Sequence, residues 1–288
     1  MIYIVDSGST KCDWIAVDEN GKQCFEKVRT KGLNPAILTE KKLKKTIKKS
    51  QVLIDNKKEV SHVFFYGAGC GTEKPRNLLR GVLQAIFRDA IVEVQEDTMA
   101  AVRACISTPS EAAVVCILGT GSNCSFYDGQ QLHQRVDSLG YSIMDDASGN
   151  YYGKQLLRDY YFKNMPEDIR VAFAGKFNVE ADYIKYNLYK RPNPNAYLAT
   201  FAEFLILNKE STYVQTVIKK GLKSFVETMI MQFKDEIKTV PVHFAGSISF
   251  FLQREIKEVA QEYGFTVGNF QRRPIEGLAD YHTRQLQG

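Results

Sequence analysis

Short apolar runs that stop at glycine punctuate this chain. Ile2 to Val5 is one, closed by the polar segment Asp6-Ser7-Gly8-Ser9-Thr10-Lys11, after which Cys12 to Val17 reads as a returning strand that ends at Asn20-Gly21. The pattern with its Asn-Gly signal predicts a β-hairpin. Ala113 to Leu118 repeats it: a partly β-branched run, then Gly119-Thr120-Gly121-Ser122, a return to Asp128-Gly129, and a third strand over 131–136. Superposing Gly8-Ser9 on Gly121-Ser122 brings Cys12 close to Cys124 with a single residue of slippage. A strand, loop and strand used twice predicts two related domains whose loops serve one ligand.

Between these hairpins the pattern alternates. A strand is expected over 23–29, then a loop containing Asn34-Pro35, then a lysine-rich helix that begins after Thr39 and ends near Asn56. His62 to Tyr66 is a buried-strand run into Gly67-Ala68-Gly69-Cys70-Gly71-Thr72, followed by a helix over 75–88, a strand over 90–95 and a helix over 99–107. Pro109-Ser110 marks the domain boundary. In the second half, 151–238 is mainly helical, Pro241 to Ala245 returns as a strand into Gly246-Ser247-Ile248-Ser249, and a terminal helix covers 274–286.

The glycine loops carry the first candidate chemistry. Two glycines let backbone N–H groups approach an anion, and Thr120, Ser122 and Asn123 add side-chain donors. Taken singly, such a loop reads first as an ordinary hairpin turn, and only the repeat of the pattern shifts the reading toward phosphate. The 67–72 loop does not meet the G-x-x-x-x-G-K-[ST] spacing, which argues against a P-loop fold. Asp97 falls between a strand end and a helix start, where it serves as a helix cap or as a general base for a hydroxyl. The segment 137–149, rich in Gly, Ser and Asp, has the side chains to grip a polyol. His243 is expected to be core or surface filler and not a ligand.

Composition narrows the class. The 288 residues, 44% hydrophobic and 25% charged, describe a soluble globular chain of about two domains. No apolar run reaches the ~18 residues that cross a bilayer, so the expectation is a cytoplasmic protein without a membrane partner. Six cysteines without a C-x-x-C pair read as buried thiols; structural disulfides and zinc are not expected. Much of the net charge of +5 lies in the lysines of 41–49, where Leu43 and Ile47 fall at helical spacing. That pattern predicts a buried stripe beneath a solvated basic face, and no nucleic-acid partner.

Three segments together, DSGSTKCDW at 6–14, ILGTGSNCSF at 117–126 and HFAGSISF at 243–250, resemble the two phosphate motifs and the adenosine motif of the acetate and sugar kinase, heat-shock chaperone and actin superfamily. Within it the whole chain resembles the BadF/BadG-type ATPase branch, especially N-acetylglucosamine kinases. The resemblance implies an α/β fold of two ribonuclease-H-like domains with a nucleotide cleft between them. The domains would cover 1–109 and 110–271, the second carrying a helical insertion, with the terminal helix 272–288 packing back on the first. It implies ATP-dependent phosphorylation of an N-acetylated amino sugar such as N-acetylglucosamine, with ATP and Mg2+ as cofactors.

The resemblance also implies roles. Asp6 would enter the magnesium shell, and Gly8, Ser9, Thr10 and Lys11 would lie near the phosphates. Gly119, Thr120, Gly121 and Ser122 would take their other side, and Gly246 with Ser247 the adenosine. Asp97 matches the catalytic base; Asn34, Ala68, Gly69, Asn123 and Asp145 fall where sugar contacts are made. Met144, Asp146 and Ala147 replace the family's Gly, Glu and Gly in the sugar segment, which alters the pocket. Two alternatives remain at this stage: an ATP or sugar sensor without turnover, and an ATP-driven activator of a partner dehydratase. A homodimer is left open.

Overall fold

A computed structural model describes residues 1–8 and 11–287; the expected phosphate residues Ser9 and Thr10 lie outside the described residues. The chain divides into two compact units, one formed by 1–109 with 273–288 and the other by 110–272. No helix of the described residues is long and apolar enough to cross a membrane.

The first unit is built on β1 (Ile2–Ser7), β2 (Lys11–Val17), β3 (Gln23–Lys31), β4 (His62–Gly67) and β5 (Ile91–Gln95), in the order β3-β2-β1-β4-β5. The β1–β2 and β2–β3 pairs are antiparallel, whereas β1, β4 and β5 run parallel. Central β1 is buried on both faces, which explains its unbroken apolar run. Tyr3 and Val5 meet Trp14, Leu43, Ile47 and Phe87 on one face. Ile2 and Ile4 meet Phe64, Ala100, Ile275 and Leu278 on the other, so the helix Pro274–Gln287 closes the unit to which residues 1–109 belong.

A buried polar cluster fixes that helix. The His282 ring stacks on Phe64 with centroids 3.6 Å apart, and its Nε2 lies 2.6 Å from Tyr66 Oη. Burial, then the nearby Arg103 cation, push the imidazole down to about 3, so it is neutral and accepts a hydrogen bond from the Tyr66 hydroxyl. Arg103 in turn donates to Tyr66 Oη at 2.7 Å and to Glu93 at 2.6 Å.

The second unit contains β6 (Ala113–Leu118), β7 (Ser122–Tyr127), β8 (Leu132–His133), β9 (Val242–Ala245) and β10 (Val267–Gln271), in the order β10-β9-β6-β7-β8. Read from the other edge, this is the arrangement of the first sheet, strand for strand. The hairpin registers also carry the one-residue offset seen in sequence: Ser7 pairs with Cys12 across positions 8–11, and Leu118 pairs with Ser122 across 119–121. Helices from Gly149 to Thr228 fill the connection between β8 and β9, and their apolar faces form one core with Val114, Cys116 and Phe244.

Three sequence expectations change. The lysine-rich helix is two, Glu40–Lys48 and Gln51–Asp55, separated at Lys49-Ser50, where Ser50 adopts extended backbone. The strand expected over 131–136 shrinks to Leu132–His133, because Arg135 turns to Glu236 and the Gln232 carbonyl. The helix expected from Met99 begins at Asp97.

Candidate active site

Parallel strands bring their carboxyl ends to one edge of a sheet, and in the first unit that edge collects the acidic candidates. The register aligns Asp6 of β1 with Tyr66 of β4, and Tyr66 with Gln95 of β5. Asp97 follows two residues on, as the first residue of the helix Asp97–Cys105. The cap position belongs to Glu96, which makes no side-chain cap bond, and the Asp97 carboxylate accepts the Thr98 N–H at 3.1 Å. Asp97 is therefore not the cap itself. The residue is exposed, yet partial desolvation of its carboxyl by the surrounding protein raises its pKa, a push that contact with water moderates.

Asp6 is half-buried, between buried Val5 and Ser7. Burial first, then the charges of Asp97 and Asp13, lift its pKa from 3.8 to about 6. Asp13 is held low by Arg29, which donates to both of its oxygens at 2.6 and 3.0 Å. Asp6 thus sits in a locally negative field that a cation relieves. Among the described residues no group of three or more His, Cys, Asp or Glu is placed to hold a metal. Few protein ligands suit magnesium, which keeps several waters and binds substrate oxygens.

This cost is measurable. A folded pKa above the unfolded one means that the folded chain holds the proton better, so the stability linked to Asp6 is present in acid and is lost as pH rises through about 6. Asp6→Asn is expected to stabilise the protein by about 1–3 kcal/mol at alkaline pH, and the gain should shrink as the pH falls toward the ordinary carboxylate range. Urea unfolding of both proteins across that range checks it; a gain independent of pH would remove the electrostatic explanation.

Beside these carboxyls, the structure brings together Asn34, Ala68 and Gly69. Ser7 is buried; its Oγ accepts the Leu33 N–H at 2.9 Å, and its carbonyl accepts the Ala68 N–H at 2.9 Å. Asn34 Oδ1 accepts the Ala36 N–H at 2.9 Å and turns the chain into Pro35. Gly69 has φ +82°, and a Cβ there would lie 2.0 Å from Asn34 Oδ1, so this contact admits only glycine. Gly8 and Lys11 are exposed at the adjoining hairpin end.

In the second unit, the Gly119–Ser122 loop is bolted to the 139–149 segment. Asp145, at φ 72°, accepts the Ser122 N–H at 3.2 Å through one oxygen and Asn150 Nδ2 at 2.8 Å through the other. Asn150 Nδ2 also reaches the Thr120 carbonyl at 2.6 Å, and Gly149 N–H donates to the Gly119 carbonyl at 2.8 Å. Asp145, expected from resemblance to contact sugar, also clamps the glycine loop in this structure. A Cβ on Gly121 would stand 2.8 Å from Asp145 Oδ2, whereas one on Gly119 meets nothing within 4 Å. Asn123 accepts from Ser125 Oγ at 2.9 Å. Of the residues that alter the family segment, Asp146 accepts from Ser224 Oγ at 2.7 Å, Met144 Sδ accepts the Leu139 N–H, and Ala147 is fully buried at φ 57°.

Gly246 ends β9 beside this loop, since Ile117 pairs with Ala245. Its φ is +114°, and a Cβ would lie 2.3 Å from the Leu118 carbonyl oxygen. Ser247 is exposed at the start of the following helix, and buried Ser249 donates to the Gly246 carbonyl at 3.0 Å. His243 is buried core, as expected: Nδ1 accepts the Asn269 N–H at 2.7 Å and burial lowers its pKa.

Asn150 is the site residue that sequence reasoning missed. The available signal was a polar amide one residue into a helix whose neighbouring positions, Tyr151, Tyr152 and Gly153, are all buried; such a group requires partners.

No protein-family model and no curated protein matches this sequence. Solved structures do. A "putative N-acetylglucosamine kinase" from Porphyromonas gingivalis is 30% identical, with 99% of each chain covered and a TM-score of 0.88. A "putative N-acetylglucosamine kinase" from Chromobacterium violaceum superposes with a TM-score of 0.70 at 12% identity, covering 97% of this chain and 98% of its own. A ROK family glucokinase from Streptomyces griseus, solved with glucose and AMPPNP, has a TM-score of 0.57 at 15% identity, with 99% and 98% covered. The latter two speak to the fold. With near-complete coverage by the first, two sheets of like topology and glycine loops at matching strand ends, this chain belongs to the sugar-kinase family of the Porphyromonas gingivalis protein, within the actin-like ATPase fold.

Proposed function

We propose that this protein transfers the γ-phosphoryl group of ATP to a hydroxyl of an N-acetylated amino sugar such as N-acetylglucosamine. The observation that carries the reading is the pair of carboxyls at the carboxyl ends of parallel strands: Asp6 in a negative field, and Asp97 accessible with a raised pKa. Asp97 accepts the proton of the attacking sugar hydroxyl. Asp6 would hold magnesium, which when bound would neutralise charge on the phosphate oxygens. Asn34, Ala68 and Gly69 contact the sugar, and Asn123 belongs to the same role. The 30% identity to a protein named for N-acetylglucosamine supports the choice of substrate class.

In the second unit, the Gly119 and Ser122 amides are committed to the Gly121 carbonyl and to Asp145. We assign the amides of Thr120 and Gly121, with the hydroxyl of Ser122, to ATP phosphates, and Gly246 with Ser247 to the adenosine. Gly119→Ala tests this without disturbing the fold, since its Cβ enters open space. Thermal unfolding should match the parent without ligand, while the stabilisation by ATP should fall to near nothing. Equal ATP stabilisation of both proteins would remove the phosphate assignment.

Cys116 and Cys124 are buried opposite one another on β6 and β7, with Sγ atoms 3.5 Å apart. Buried strand positions do not offer an iron–sulfur cluster to a partner, which disfavours the dehydratase-activator reading. Coupling ADP release to a panel of hexoses and N-acetylated amino sugars decides the function. Turnover highest with an N-acetylated amino sugar supports the proposal; sugar binding without ADP release leaves a sensor.

A further inference from the structure

We propose that a cavity in the first unit, lined by the end of β3 and the helix Glu40–Lys48, is a separate binding site for a small ligand carrying two or more phosphate-type charges. The cavity has a volume of about 510 Å³, within the range of small-molecule sites. Arg29 and Lys31 enter it from β3, and Lys42, Lys45 and Lys49 from the helix and its C-cap; no acidic residue lines it.

The helical contribution is ordered. Lys42, Lys45, Thr46 and Lys49 are spaced three, one and three residues apart, which places them in one stripe along the helix. Leu43 and Ile47 hold the adjoining face in the core and so fix the direction in which that stripe looks. Arg29 and Lys31, two residues apart, share one face of their strand. Asp13 compensates Arg29, so the charges left unpaired among the described residues at this common hollow are Lys31 from the strand and Lys42, Lys45 and Lys49 from the helix, an arrangement that repels itself until an anion enters. A merely solvated basic face spreads its lysines over a convex surface and needs no second element of the same sign.

The neighbouring acids are already spent. Asp13 takes Arg29 and Lys27, and Glu40 takes Lys44. Lys31, Lys42, Lys45 and Lys49 form no ion pair among the described residues. The hydroxyls of Thr46 and Ser50 line the same cavity and add neutral donors suited to phosphate oxygens. Several cations with such donors suit a compact multivalent anion better than a single carboxylate.

The cavity also touches the segment that leads into the site described above. Lys31 and Gly32 line it, and the next residues are Leu33, whose N–H holds Ser7 Oγ, and Asn34, which packs on Gly69. An anion pinning Lys31 is thus felt two and three residues later. This consequence for turnover rests on the proposed kinase function, whereas the binding site does not.

Calorimetric titration with inorganic pyrophosphate at fixed ionic strength tests the site on the full chain. Two charge-matched variants are compared with the parent: Lys42→Ala/Lys45→Ala/Lys49→Ala, which strips the cavity face, and Lys41→Ala/Lys44→Ala/Lys48→Ala, which strips the other faces. Alanine preserves the helix in both. Any pyrophosphate held by the glycine loop of the second unit is common to all three proteins. The expected result is a loss of affinity of about tenfold or more in the first variant only, the size of one or more charge-assisted hydrogen bonds. Equal losses in both variants, or no pyrophosphate-dependent heat in the parent that the first variant lacks, would overturn the proposal. Vesicles of phosphatidylcholine with and without phosphatidic acid separate a lipid headgroup from a free phosphate: capture by the acidic vesicles that pyrophosphate does not displace would overturn the small-ligand assignment, and displacement by pyrophosphate would support it.

Discussion

Asp97→Asn is expected to lower the phosphoryl-transfer rate by about 10²–10⁴-fold while leaving KM for sugar and ATP within a few-fold, the signature of a lost general base. Asparagine keeps an oxygen for the Thr98 N–H that Asp97 now accepts, and the position is exposed, so folding is not at stake. What it lacks is the basic lone pair. The raised pKa of the native carboxyl sharpens the prediction. A base must be unprotonated to act, so activity of the parent should fall on the acid side, at a pH above that of an ordinary aspartate. Asp6, titrating at about 6, adds to the same limb because its protonated form no longer attracts a cation. Near-normal turnover by Asp97→Asn in steady-state assays would reduce the residue to a negative charge at a helix N-terminus.

Gly246→Ala is expected to destabilise the protein by about 3 kcal/mol or more, and to do so in the absence of any ligand. Two costs coincide. The new Cβ meets the Leu118 carbonyl oxygen at 2.3 Å, its carbon at 2.7 Å and the Gly119 nitrogen at 3.1 Å, all backbone that cannot rotate away. The φ of +114° adds strain for any residue with a side chain. Relief requires β6 and β9 to separate just where the glycine loop begins, so the variant should lose ATP stabilisation together with its stability. Gly119→Ala, one residue past Leu118 but with open space before it, should lose the first and keep the second. Urea unfolding of the two variants makes the comparison. Wild-type stability in Gly246→Ala would mean that the two strands are not held as tightly as these distances require.

The duplicated hairpins were legible in the sequence because the signal is local. A buried strand must be apolar on both faces, a tight return needs glycine or asparagine, and both demands fall on residues adjacent in the chain. Ile2–Val5 and Ala113–Leu118 carry them, and so the first two strands of each sheet and the place of each loop could be read directly. Asp97 was visible for the same reason, as a carboxylate between a strand and a helix. The clamp on the glycine loop was not. Asp145 and Asn150 lie more than 20 residues beyond Ser122 and Thr120, and which polar group satisfies which amide is decided only when the N-terminus of the helix from Gly149 docks on the Gly119 and Thr120 carbonyls. Likewise the lysines of 41–49 read as a solvated face, because sequence shows the stripe on a helix but not the β3 cations that share its cavity. Local propensity and burial patterning belong to the chain; the pairing of charges and buried polar atoms across distant segments belongs to the packed structure, where desolvation makes each unmet partner costly.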